Sequence, residues 1–311
     1  MMFSQDELIA IEELEKLSTE DLINQIKDIS LCAWNNRLEV LTIRAWLVNF
    51  TGKFFNNQRA EQNLALWLAL HFVFYTDQDV RALSKNLWWK FVHQRLSEYS
   101  SSGFMSDNTL EEKYNYLIDN TVVQPLGNCG GSGTNVCYFF RQSNGLKKEL
   151  FEFKENEKYQ YLVLVDDATV SGHQAVEYLD TYKGIENKKK YILTYIATDK
   201  AKEYIGDRAD VISSINLDAK SKCFDDCSYI FSRHKNWTNV AKKMCRHYGQ
   251  KLDPYNPIGY RNGQYTFGFY YNIPNNSLPI FWGTLGGWTP LFDRYFSDYK
   301  YLEDLNSEKF Y

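Results

Sequence analysis

Two adjacent carboxylates, Asp166 and Asp167, come at the end of the apolar run YLVLV, and Ser171 and Gly172 follow a few residues later. Adjacent carboxylates repel each other, and neither can serve as an apolar core residue, which favours a functional explanation. Carboxylate oxygens suit sugar hydroxyls or a hydrated Mg²⁺ ion. The hydroxyls of Thr169 and Ser171, with the N–H groups of a helix N-terminus, suit a phosphate. Together these groups predict a ribose 5-phosphate site.

A structural explanation is open for the same residues. A buried strand can end in a capped helix, with Asp167 or Ser171 as the capping residue. One aspartate would suffice for that role, so the pair favours the ligand site.

A glycine-rich segment, GNCGGSG at residues 127–133, follows a short strand-like run one strand earlier. Glycines let backbone amides approach an anion closely, and Ser132 adds a hydroxyl donor. Lys147 and Lys148 lie between the two motifs and could also reach an anion, although a solvated loop is the simpler explanation.

The elements that must position these motifs change in character along the chain. Residues 5 to about 100 carry apolar residues at helical spacing, and SSSGFMSDN, from Ser100, has the composition of a loop or linker. Beyond it, strand-like runs alternate with helices of about ten residues, which predicts a parallel sheet covered on both faces. In such a sheet, ligands bind at the carboxyl ends of the strands. We therefore predict a helical region at 1–105, able to dock a partner, and an α/β domain at 106–311.

Composition limits the possible classes of protein. The formal net charge of −4 does not argue for nucleic-acid binding. The most hydrophobic window, LALWLALHFVFY, is shorter than the roughly 20 residues that span a bilayer, and the N-terminus does not resemble a secretory signal. Six scattered cysteines fit reduced thiols. We expect a cytoplasmic protein without a membrane partner.

Two further features have simpler explanations. Cys223 and Cys227, with Asp225 or Asp226, could bind a metal, but the sequence offers no second ligand pair, so a zinc site is not favoured. The aromatic stretch at 259–295 is better explained as a small aromatic core than as a surface for stacking bases.

The series of a hydrophobic strand, Asp-Asp, three variable residues and Ser-Gly resembles the phosphoribosyl-pyrophosphate (PRPP) motif of type I phosphoribosyltransferases. The resemblance implies a parallel-sheet core with a C-terminal hood, here at about 255–311. It also implies that Asp166 and Asp167 contact the ribose 2- and 3-hydroxyls, directly or through Mg²⁺, as the catalytic pair. The residues that match the 5-phosphate loop are Ala168, Thr169, Val170, Ser171 and Gly172. Those that match the pyrophosphate loop are Gly130, Gly131, Ser132 and Gly133.

The match has departures. Many family members place an acid immediately before the Ser/Thr-Gly pair, where this chain has Val170, and His173 and Gln174 stand where Gly and Thr are common. These departures question ordinary base-salvage chemistry but leave the sugar-phosphate site in place.

A second resemblance rests on the window from Asn275 to Arg294, which includes NNSLPIFW and GWTPLFDR. It is similar to phosphoribosyltransferase-like proteins of prokaryotic conflict and anti-phage systems, some associated with ATPases or with retron reverse transcriptases. This resemblance implies a defence effector with such a complex as partner and a nucleic acid as one possible acceptor. Arg233, His234 and Arg294 are candidates for the acceptor side.

Three functions remain open on this basis. The first is an enzyme that uses PRPP or a related ribose-phosphate nucleotide. The second is a non-catalytic nucleotide-sensing subunit of a defence complex. The third is an enzyme that cleaves nucleotides, or the sugar-phosphate of a nucleic acid, in the same pocket.

Overall fold

The computed structural model describes residues 3–127, 131–152, 159–182 and 184–294. The chain divides into two compact units. The sheet unit comprises residues 77–218, and the helical unit combines residues up to Thr76 with those from Ala219 onward. The predicted boundary near residue 105 coincides with neither junction between the units.

The helices and strands follow in chain order. They are α1 (Gln5–Lys16), α2 (Thr19–Ala33), α3 (Val40–Leu47), α4 (Gln58–Leu70), β1 (Val73–Tyr75), α5 (Asp77–Ser101), α6 (Leu110–Asp119), β2 (Thr121–Pro125), α7 (Ser132–Asn144), β3 (Tyr161–Thr169), α8 (His173–Thr181), β4 (Lys189–Thr198), α9 (Asp199–Ile205), β5 (Asp210–Leu217), α10 (Trp237–Leu252) and β6 (Phe267–Phe269).

The sheet unit is built on four parallel strands in the order β2-β3-β4-β5. Strands β3 and β4 are buried along most of their length, as expected where helices cover both faces of a sheet. One face packs on α5 and α7, where the ring of Phe91 lies 5.0 Å from that of Tyr191. The other face forms a core with α8 and α9 that includes Leu164, Leu179 and Ile205. The predicted parallel α/β architecture is confirmed.

The helical unit joins the two ends of the sequence. Strand β1 pairs in parallel with β6, with Val73 opposite Phe267. The Trp46 ring stacks on Phe281 at 5.8 Å, and the Trp46 indole N–H donates to the Ile280 carbonyl at 2.8 Å. The aromatic C-terminal stretch therefore packs as core against the N-terminal helices, in agreement with the aromatic-core interpretation.

A buried carboxylate fixes a turn in this unit. Glu61 accepts hydrogen bonds from the backbone N–H groups of Gly52, Phe54 and Phe55 at 2.7–2.8 Å, and from the Tyr248 hydroxyl. Four donors offset the loss of hydration of the carboxylate, so Glu61 has a complete structural role.

None of the helices in the described part of the chain combines the length and the hydropathy that a bilayer crossing requires.

Candidate functional site

The carboxylate pair lies inside β3. Asp166 pairs with Thr194 of β4, and the ladder continues to Thr169 opposite Ala197. The expectation that the strand ends at Asp166 and Asp167 is therefore wrong. The reason is that β4 runs on to Thr198 and supplies hydrogen-bond partners for the extra residues. Both aspartates are only 3% exposed.

The glycine-rich segment meets the pair through α7. The Ser132 hydroxyl, on the first residue of α7, donates to Oδ1 of Asp166 at 3.0 Å. A Cβ atom on Gly133 would lie 2.9 Å from the Leu126 carbonyl oxygen and 3.0 Å from that of Val165. Glycine at this position therefore lets the start of α7 approach the end of β2 and the middle of β3, which brings the two sequence motifs together.

The electrostatics of the pair favour a ligand. Burial, followed by the charge of Asp167, raises the pKa of Asp166 well above its ordinary value. Hydrogen bonds from the Asp167 N–H, at 2.9 Å, and from Ser132 oppose this rise. A ligand that donates hydroxyl hydrogens, or a cation, would stabilise the ionised pair.

Thr169 supplies a second polar group at the same edge. Its side chain is only 4% exposed, and its hydroxyl has no hydrogen-bond partner among the described residues. Leaving a buried hydroxyl without a partner costs about 1–3 kcal/mol. A ligand oxygen that accepts from this hydroxyl would remove that cost.

The turn from Val170 to Gly172 is held by the next strand. The Thr198 hydroxyl donates to the Val170 carbonyl at 2.7 Å and accepts from the Ala201 N–H at 3.0 Å, which caps α9. Gly172 has φ +75°, and a Cβ there would lie 2.9 Å from the Ala201 carbonyl oxygen. The loop therefore requires glycine at this point and presents the N-terminus of α8 to the site.

Two residues that depart from the family pattern have defined contacts. The His173 ring stacks on Tyr204 at 4.1 Å, and its Nδ1 lies 3.1 Å from the Ser171 carbonyl oxygen. A Cβ on Gly127, which has φ +98°, would lie 2.8 Å from the Gln174 side-chain nitrogen. Gln174 thus connects the start of α8 with the loop after β2.

Sequence reasoning missed Thr198 and did not anticipate the contact of Gln174. For Thr198 a signal was present, because a threonine directly before a helical segment is a capping pattern. For Gln174 no local signal exists, since its contact depends on how β2 and β3 lie beside each other.

The other predicted residues are placed as follows. Gly130 lies outside the described residues, Gly131 is the residue before α7, and Ala168 and Ser171 are half-buried on either side of Val170. The acceptor-side candidates belong to the helical unit, where Arg233 is exposed, His234 stacks on Trp237 at 4.1 Å and Arg294 lies over the Trp282 ring at 4.8 Å. Packing explains His234 and Arg294, and their role toward an acceptor stays a prediction.

The positions of the possible metal-ligating side chains decide whether a metal site exists. In the described ranges, no group of three or more His, Cys, Asp or Glu side chains is placed to hold a metal ion. Cys223 is buried whereas Cys227 is exposed. The carboxylates of Asp166 and Asp167 and the unpartnered Thr169 hydroxyl are all oxygen donors, which fits Mg²⁺ when a ligand supplies the remaining oxygens.

Comparison with known protein families gives one match. The model of the family described as PRTase-CE matches residues 43–294, which is most of the chain and includes the whole site described above. No curated protein and no solved structure matches the chain.

Proposed function

Because the chain belongs to PRTase-CE, a phosphoribosyltransferase-like family, we propose that it transfers the phosphoribosyl group of PRPP, or of a related ribose-phosphate nucleotide, to an acceptor. One observation carries this proposal. The buried pair Asp166 and Asp167 shares the carboxyl edge of the sheet with the unpartnered hydroxyl of Thr169.

The reaction breaks the bond between ribose C1 and a pyrophosphate oxygen, and pyrophosphate leaves with the electron pair. The acceptor nucleophile forms the new bond to C1 through an oxocarbenium-like transition state. Such a reaction depends on positioning and on stabilising the departing negative charge. Asp166 and Asp167 orient the ribose hydroxyls. The same pair would hold Mg²⁺, which would supply positive charge to stabilise the departing pyrophosphate.

The two helix N-termini would hold the phosphates. Thr169 and Ser171, with the N–H groups at the start of α8, bind the 5-phosphate. The start of α7, from Gly131 through Gly133, binds the pyrophosphate. Ser132 would contribute to both the pyrophosphate and the ribose parts of the site. Its backbone belongs to the segment that binds pyrophosphate, and its hydroxyl donates to Asp166.

A second candidate function is a non-catalytic nucleotide-binding subunit. Val170 favours it, because this side chain is apolar and mostly buried at the position where many related enzymes keep an acid that assists proton transfer. The same pocket would then bind its ligand without turnover.

The biological setting is part of the proposal. The resemblance of the window 275–294 supports an effector of bacterial anti-phage defence that acts in the cytoplasm within an ATPase or reverse transcriptase complex. Genes for either partner beside this one would support that setting, and their absence from the neighbourhood in related genomes would argue against it.

The reaction can be tested with isotope-labelled PRPP and Mg²⁺ incubated with nucleotide and RNA pools. Transfer of label with release of pyrophosphate, lost in Asp166→Asn/Asp167→Asn, is the expected result. Binding without turnover would support the sensor, and product from unlabelled nucleotides without PRPP would support a cleaving enzyme. The absence of both binding and turnover would contradict the proposal.

A further inference from the structure

A cavity of about 350 Å³ lies at the other edge of the sheet unit. Its lining includes Arg95 and Tyr99 of α5 and Tyr161, the first residue of β3. Asp166 is five residues further along β3, roughly 16 Å away at the rise of an extended strand. The cavity is therefore separate from the candidate phosphoribosyl site.

Arg95, which lines this cavity, has one hydrogen-bond donor without a partner among the described residues. The residue is only 4% exposed, and its guanidinium donates to the Tyr191 hydroxyl and to the Glu98 carboxylate. The Nε–H has no partner among the described residues. A buried guanidinium donor without an acceptor is unfavourable, so an acceptor atom in the cavity would stabilise it.

Aromatic rings form much of the wall. The Arg95 guanidinium lies 5.2 Å from the Tyr161 ring centre and 5.8 Å from that of Tyr99, and the Tyr99 hydroxyl donates to that of Tyr161 at 2.9 Å. The Phe104 ring, 43% exposed, lies 5.2 Å from the Tyr99 ring. The wall therefore combines three aromatic side chains with four polar ones, a composition that suits a planar ligand with hydrogen-bonding groups.

The charges that line the cavity balance. Arg95 is the cation and Glu98 the carboxylate of the lining, and Lys189, outside the lining, lies 3.2 Å from Glu98 and 3.8 Å from Asp210. A phosphate would gain little from this balanced set. A neutral ligand fits better, because Glu98 can accept from its N–H groups while Arg95 donates to it. The Gln160 amide, which donates to Tyr116 at 2.6 Å, adds a carbonyl acceptor at the rim.

We propose that this cavity binds an uncharged, planar heteroaromatic ligand of the class of a purine base or its nucleoside. The Arg95 Nε–H donates to a ring nitrogen or carbonyl of the base, and Glu98 or Gln160 accepts from its N–H groups. The exposed face of Phe104 stacks on the ring. The site goes beyond the proposed transfer reaction, since it lies away from the reacting atoms and suits a ligand that regulates or anchors the protein.

Equilibrium dialysis of the full-length chain with radiolabelled guanosine and adenosine tests this proposal. We expect at least one nucleoside to bind, and Phe104→Ala to weaken that binding about tenfold by removing the stacking face. Gln160→Ala, which removes an exposed rim side chain and its hydrogen bond to Tyr116, is a second variant should Phe104→Ala fail to fold. Trp89→Ala, at an exposed aromatic of α5 outside the lining of this cavity, is the matched control and keeps wild-type affinity.

Three outcomes would overturn the proposal. The first is that neither nucleoside binds at millimolar concentration. The second is unchanged affinity in both Phe104→Ala and Gln160→Ala. The third is displacement of the nucleoside by inorganic phosphate, which would show an anion site instead. The variant Asp166→Asn/Asp167→Asn is expected to keep nucleoside affinity, so failure of the transferase proposal and failure of this one are distinguishable.

Discussion

At the scale of single residues, the buried carboxylates of β3 are the centre of the proposed site. Their types and order in the sequence were enough to predict a sugar-phosphate site around Asp166 and Asp167, because two adjacent carboxylates have no simple structural use. The contact of Ser132 with Asp166 and that of Thr198 with the Val170 carbonyl could not be predicted in the same way. They depend on which carbonyls and carboxylates the neighbouring strands bring into reach, and no local pattern contains that information.

Asp166→Asn is expected to stabilise the ligand-free protein at neutral pH. The pKa of Asp166 is raised by burial, so ionising it opposes folding. As the pH rises through the ordinary pKa of aspartate, the unfolded chain ionises first, and stability falls until the raised folded-state pKa is passed. Thermal unfolding across this interval should show the fall in the wild type and a smaller one in the variant. At neutral pH we expect the variant to gain about 1 kcal/mol.

A variant less stable than the wild type at neutral pH would contradict this account of the pair. Asp207→Asn, which removes the same formal charge from an exposed position, is the control and should leave the pH dependence unchanged.

Thr169→Val separates ligand binding from stability. The lost hydroxyl has no partner in the described structure. The free energy of unfolding should therefore stay the same or rise by up to about 1 kcal/mol. Affinity for PRPP, measured by calorimetry, should fall about tenfold with the loss of one hydrogen bond to a charged group.

Thr198→Val is the matched comparison. This hydroxyl caps α9 and donates to the Val170 carbonyl, so its loss should destabilise the chain by about 1–2 kcal/mol. Equal effects of the two substitutions on stability would show that the Thr169 hydroxyl has a structural partner after all.

At the scale of elements, the alternation of strands and helices beyond the N-terminal helices followed from hydrophobic periodicity. The end of β3 was placed too early. Polar residues usually mark the end of a buried strand, but here β4 continues beside Asp166 and Asp167 and holds them in the ladder. The length of β3 therefore depends on β4 and not only on its own residues.

The turn between β3 and α8 provides a prediction about elements. Gly172→Ala places a Cβ 2.9 Å from the Ala201 carbonyl oxygen at φ +75°. We expect a loss of more than about 2 kcal/mol, because the left-handed backbone alone costs about 1 kcal/mol and a contact with backbone is added. Gly145 has φ +60° and open space around it, so Gly145→Ala should lose only the stability that the left-handed backbone costs. Chemical denaturation of both variants measures the difference, and equal losses would contradict the close approach of α9 to this turn.

At the scale of the whole molecule, the division of the chain was the least predictable feature. The spacing of apolar residues and the loop-like composition after Ser100 predicted a helical region that ends near residue 105. The sheet unit instead begins at Asp77, and the C-terminal aromatic stretch packs with helices far away in sequence. Pairs such as Val73 with Phe267 join distant segments, and the periodicity of neither segment identifies its partner.

This division predicts how fragments behave. A fragment of residues 77–218 should unfold cooperatively, because it keeps both helical layers of the sheet. A fragment of residues 106–311 should not, since it lacks α5, which covers Phe140 and Tyr191, and the N-terminal helices that cover Phe281. Circular dichroism melting distinguishes the two, and a cooperative transition in the second fragment alone would refute the division.

The central claim is that the edge formed by Asp166, Asp167 and Thr169 binds a ribose phosphate. Equilibrium binding of labelled PRPP in the presence of Mg²⁺ tests it most directly, with Asp166→Asn/Asp167→Asn compared with Glu203→Gln/Asp207→Asn, which removes two exposed charges from the same unit. We predict saturable binding that the first variant loses and the second keeps. Equal binding by both variants, or none by the wild type, would contradict the claim.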